Sequence, residues 1–108
     1  MQINAAVADS LGLCVFGRSV TDENLELIAN AINDAFDAGV TPDFIRNIGV
    51  ETLRLEAAFN NAAGFGEDDD ELPAFFLEEP LPPTGKMARL YSREVNAAMQ
   101  NLMEAQSL

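Results

Sequence analysis

A chain of 108 residues is long enough for one domain with a modest core and too short for two. Six Lys+Arg against eighteen Asp+Glu leave a net charge of −12, which argues against nucleic acid and anionic membrane surfaces as partners, because both need a basic footprint. With no histidine and one cysteine, a histidine general base, a Ser–His triad, a His-containing zinc site and an internal disulfide are excluded within the chain, while a hydrophobic share of 48% argues against wholesale disorder.

Sixteen alanines and twelve leucines against eleven Val+Ile favour helix over sheet, so the expected fold class is all-α. The opening stretch, residues 3–11, reads as a short helix stopped at Gly12. It has no basic n-region and no long apolar run. No segment approaches the ~18 apolar residues of a membrane span, and the expected location is cytoplasmic. A clear helix is expected from about Asp22 to Ala38. Thr21 is its candidate N-cap, Leu25, Ile28, Ala29, Ile32, Ala35 and Phe36 form its apolar face, and Gly39 sits just past its end.

Thr41 and Pro42 then read as N-cap and first residue of a second helix ending near Gly64, with Phe44, Ile45, Ile48, Thr52, Leu55, Ala58 and Phe59 as its buried stripe. Gly49 falls inside that stripe and suggests close approach of another helix. The short link at residues 39–41 predicts an antiparallel αα-hairpin. From 65 to 85 the composition changes. Seven acids and no base lie between Glu67 and Glu79, and four of the five prolines between Pro73 and Pro83. An extended, acidic, Pro-rich segment with an apolar anchor at Leu72–Leu77 is expected. A C-terminal helix over 86–108 follows, its regular part from Lys86 to Ala105, with Met87, Leu90, Tyr91, Val95, Met99, Leu102 and Met103 near one face. The helical part before the acidic segment is 1–64.

Asp9-Ser10-Leu11-Gly12-Leu13-Cys14 carries the most chemistry. It offers a carboxylate able to accept from the N–H groups of a pterin or purine, a helix-ending glycine and a thiol able to ligate iron. On spacing alone it reads first as a capped helix end followed by a small buried cysteine. The run Glu67–Glu71 lacks the alternating ligands and sixth-position glycine of an EF-hand and reads as a solvated acidic loop. Asn60 and Asn61 read as a polar helix end.

The stretch from Asp9 to Phe16 resembles the DxxGLCxF motif of the tungsten-containing aldehyde:ferredoxin oxidoreductases. Gly49, Leu55-Glu56, Phe59-Asn60 and Gly64-Phe65 fall on that family's glycine, LE, FN and GF positions. Asp69-Asp70-Glu71-Leu72-Pro73 resembles its DDxLP and Glu78-Glu79-Pro80-Leu81-Pro82 its EEPLP. Val50-Glu51 stands where the family commonly has Glu-Arg. The resemblance implies a C-terminal helical domain or fragment, residues 1–108, of a larger oxidoreductase. It further implies that the parent oxidises an aldehyde to the acid, with a tungsten or molybdenum bis-pterin and a 4Fe–4S cluster, and passes electrons to ferredoxin. Asp9 and Leu13 are then pterin contacts and Cys14 the fourth cluster ligand, the other cysteines lying upstream. The isolated chain is expected to bind neither group and to be inactive, its partners being the missing N-terminal and middle domains. The competing expectation is a non-catalytic acidic module that docks a partner through its Met-rich last helix and the Leu72–Leu77 anchor.

Overall fold

A computed structural model describes residues 1–104; the side chains of Leu102 and Met103, together with Ala105 and the residues after it, lie outside the described residues. The regular structure among the described residues is all-α, as its composition predicts. The helices are α1 (Gln2–Ser10), α2 (Arg18–Thr21), α3 (Leu25–Phe36), α4 (Pro42–Ala62), α5 (Ala74–Glu78) and α6 (Ser92–Glu104). Contacts divide the chain into two compact units, Met1–Ala58 and Phe59–Leu108, and α4 runs through the division.

The first unit is built around α1. Ile3, Ala6, Val7 and Ala8 are buried from this helix, Ile28 and Ala29 from α3, and Ile45, Gly49 and Val50 from α4. Gly49 explains how α1 reaches α4. A Cβ there would lie 2.5 Å from the Ile3 carbonyl oxygen and 2.8 Å from Val7 Cγ2, so only glycine admits the α1 backbone. Thr41 and Pro42 start α4 as expected, with Thr41 Oγ1 accepting from the Phe44 N–H at 3.2 Å.

The preceding helix departs from expectation at both ends. Its N-cap is Asn24, whose side-chain oxygen accepts from the Leu27 N–H at 3.2 Å, because asparagine caps better than threonine. Thr21 instead closes the short α2. At the other end Asp37 already adopts a left-handed conformation (φ 50°), two residues before Gly39. The Asn33 side chain bonds Val40 in both directions, at 2.8 and 2.9 Å, and draws the chain away from the helix axis. The expected apolar faces are also only partly buried. Phe36, Leu55 and Phe59 are 79%, 70% and 72% exposed.

In the second unit the segment 65–85 is not wholly extended. Residues Glu67–Asp70 form a 3-10 turn, fastened where Asp69 accepts from the Gly66 N–H at 2.7 Å, and Ala74–Glu78 form α5 after Pro73. Propensity explains α5, since Ala74-Phe75-Phe76-Leu77 follows proline with no breaker inside it. The last helix begins at Ser92, later than expected. Residues 86–91 are engaged elsewhere: Lys86 O accepts from Leu81 N–H at 2.8 Å, and Ala88 N–H donates to Phe76 O at 2.8 Å. Along the expected face of that helix, Val95 and Met99 are half-buried, while Met87, Leu90 and Tyr91 are exposed.

Candidate functional site

The stretch from Asp9 to Cys14 is shaped by the end of α1. Gly12 takes φ +67°, a conformation that L side chains rarely adopt. Its N–H donates to Asp9 O at 3.2 Å, and the Leu13 N–H donates to Ala8 O at 2.8 Å. These two bonds make a Schellman motif, which satisfies the last carbonyls of the helix and sets the direction in which the chain leaves it. Gly64 repeats the device at the end of α4. There Asn61 O and Asn60 O accept from the Gly64 and Phe65 N–H groups at 3.1 and 3.0 Å, so both asparagines serve as the helix end that their sequence suggests.

Asp9 and Cys14 are both exposed, and Leu13 between them is half-buried. Leu13 lines a narrow crevice together with Val7, Ala8, Asp22, Leu25 and Ile28. Its backbone is thereby tied to the core, while the neighbouring thiol faces outward. The alternative of a buried structural cysteine does not hold. Cys14 is extended (φ −67°, ψ 131°), and its carbonyl accepts from the Gly17 N–H at 2.9 Å, opening a 3-10 turn over Val15–Gly17.

Beside this turn lie Arg18 and Asn4, which sequence reasoning passed over, and Asp22, which precedes α3 rather than opening it as expected. Arg18 Nε donates to both carboxylate oxygens of Asp22 at 3.1 Å, and its Nη2 donates to one of them at 2.9 Å. The Asp22 backbone oxygen in turn accepts from Asn4 Nδ2 at 3.0 Å. Bonding to Asp22, with a lesser contribution from the charge of Asp9, holds the Arg18 guanidinium above its ordinary pKa. The i,i+4 spacing of Arg18 and Asp22 was the available signal. The Asn4 contact has none in sequence.

Chemically, the turn offers one outward thiol and one acceptor carboxylate, carried on a helix end fixed by backbone bonds. Among the described residues no three His, Cys, Asp or Glu side chains gather as a metal site, and no helix is long and apolar enough to cross a membrane. The family model for aldehyde ferredoxin oxidoreductase, domains 2 & 3, matches residues 1–106. The chain belongs to this family. No curated protein and no solved structure gives a significant match.

Aldehyde ferredoxin oxidoreductases generally bind a tungsten- or molybdopterin and a 4Fe–4S cluster. The donors on this turn fit a share of such groups: one exposed thiol suits one iron of a cluster, and Asp9 suits a hydrogen-bond donor on a pterin. Val50 is 1% exposed in the core of this oxidoreductase-family domain.

Proposed function

We propose that the chain is the C-terminal portion of an enzyme that oxidises an aldehyde to the carboxylic acid and delivers the electrons through a 4Fe–4S cluster to ferredoxin. Cys14 is one cluster ligand in this reading, with the remaining ligands on upstream domains of the parent. Asp9 accepts from pterin N–H groups, and the Leu13 backbone lies against the same group. When bound, the metal–pterin supplies the two-electron oxidation of the aldehyde and the cluster supplies one-electron transfer.

The chain's own residues bind and orient. Cys14 loses its thiol proton on ligation, so binding there is coupled to proton release. Asp9, ionised, is an acceptor only and therefore selects donors. Leu13, half-buried beside Val7, Ala8 and Ile28, steadies the turn between them. The parent acts in the cytoplasm, with its N-terminal and middle domains and ferredoxin as partners, while the isolated chain binds neither group.

The observation that carries this reading is the exposure of both Asp9 and Cys14 on either side of one Schellman-locked glycine, in a chain matched to the family over residues 1–106. Cys14→Ser in the whole parent protein tests it. Iron content and aldehyde-dependent viologen reduction are expected to fall together while the helical circular dichroism is kept. A variant with full iron and full activity overturns the assignment of Cys14.

A further inference from the structure

The segment from Leu13 to Asp22 leaves α1 and returns to it. It is tied at its start to Ala8, through the Leu13 N–H, and at its finish to Asn4, whose side chain reaches the Asp22 carbonyl. Ala8 and Asn4 are about one helical turn apart, roughly 6 Å along the axis. The segment is therefore an Ω-like loop with both feet on one helix. Its tip is bare: Cys14, Val15, Phe16 and Gly17 are all exposed, Phe16 at 93%. Its interior holds the Arg18–Asp22 pair, with side chains only 24% and 25% exposed.

That pair braces the returning side of the loop, beside a longer bond in which the Thr21 hydroxyl donates to the Gly17 carbonyl at 3.5 Å. The Cys14 carbonyl is held by the Gly17 N–H, and Arg18 follows directly at the start of α2. The Arg18 guanidinium clamps Asp22 through three contacts, and Asp22 is the residue anchored to Asn4. A fork donating to both oxygens of one carboxylate fixes orientation as well as distance, which a single point charge does not.

We propose that Arg18 is the positioning residue of the cysteine loop: braced on Asp22, whose carbonyl is tied to Asn4, it stiffens the returning residues 18–22 so that the Cys14 thiol is presented in one place. The proposal rests on Cys14 being a cluster ligand. Arg18 itself touches no cofactor. Removing the brace leaves both feet of the loop on α1 and loosens its tip, so the ligand is kept but less well aimed. Groups that orient a metal ligand commonly matter 10–100-fold for retention.

The test uses the whole parent protein, with iron loss to an excess of a ferrous chelator followed in time. Arg18→Gln is expected to lose iron about tenfold faster than the wild type, Arg18→Lys to fall between them, and the exchanged pair Arg18→Asp with Asp22→Arg to recover most of the retention. Amide hydrogen exchange at Gly17 is expected to quicken in Arg18→Gln, while that at Ile45 and Val50 stays unchanged. Cys14→Ser is measured alongside. Iron loss at the wild-type rate in Arg18→Gln, with Cys14→Ser depleted, overturns the positioning role and leaves the ligand reading intact. Full iron in Cys14→Ser overturns both. If Arg18→Gln fails to fold, the lysine variant and the exchanged pair decide: wild-type retention in the first, or no recovery in the second, overturns the proposal.

Discussion

The two units of this chain are held by different forces. In Met1–Ala58, nine residues are buried, all of them apolar or glycine, and they join three helices. Among the described residues of Phe59–Leu108 none is buried. Its segments are joined by backbone bonds from Leu81 and Ala88 and by polar contacts of the acidic run. Glu71 accepts from the Ser92 hydroxyl at 2.7 Å and the Ser92 N–H at 3.3 Å, and Asp70 accepts from Asn96 Nδ2 at 3.0 Å. Phe75 and Phe76 pack on each other with ring centroids 4.2 Å apart, yet both remain about half exposed. Apolar burial is strong and insensitive to pH, whereas exposed carboxylate bonds are weak and fail when the acid is protonated. The first unit therefore has the means to be a stable platform for the Cys14 turn, and the second depends on conditions.

The largest effect that sharpens this contrast is expected from Ile45→Ala. Ile45 is fully buried in the first unit, and its truncation leaves a cavity worth about 3 kcal/mol in urea unfolding. A comparable loss from Phe76→Ala, in the second unit, would break the contrast. Gly49→Ala comes next. Helix propensity alone would reward alanine by about 1 kcal/mol, but the Cβ meets the Ile3 backbone at 2.5 Å. The net expectation is a loss of about 2 kcal/mol, as for other overpacked cores; a gain in stability would mean that α1 can move aside freely.

The smallest effect is a pH dependence confined to the second unit. Bonding to the Ser92 hydroxyl, helped by the Ser92 and Leu72 N–H groups and opposed by partial burial, holds the Glu71 carboxyl below its ordinary value. A depressed folded-state pKa gives stability that is present above the ordinary glutamate range, about 4.3, and is lost as pH falls through the folded-state value. Amide exchange at Ser92 is expected to quicken on acidification while exchange at Val50 does not. Glu71→Gln should remove that dependence. Parallel acid sensitivity at Val50 would place the effect elsewhere.

Where capping chemistry is local, it is legible in the sequence. Gly12 and Gly64 end their helices, and Thr41-Pro42 begins one, because a left-handed glycine or an N-terminal proline acts on its immediate neighbours. Gly49 was legible as a close approach, though not the helix that approaches. The acidic run was read as merely solvated. Its use of Glu71 and Asp70 to receive α6 was hidden, because those contacts span 21 and 26 residues. In the candidate site, the motif residues Asp9, Leu13 and Cys14 stand out from sequence, and the brace of Asn4, Asp22 and Arg18 does not.

By itself, the sequence determined the helical class, the end of α1, both ends of α4 and the family, since propensity, capping and ordered motifs depend on residue type and short spacing. Tertiary structure alone decided which parts of those helices are buried. It also decided that residues 86–91 bond to Leu81 and Phe76 rather than lengthen α6, and that Asp22 reaches back to Asn4. The physical reason is common to all three. Each follows from where the folded chain sets its segments: an apolar face is buried only where another element packs on it, and a polar group takes whichever partner is brought within hydrogen-bonding range.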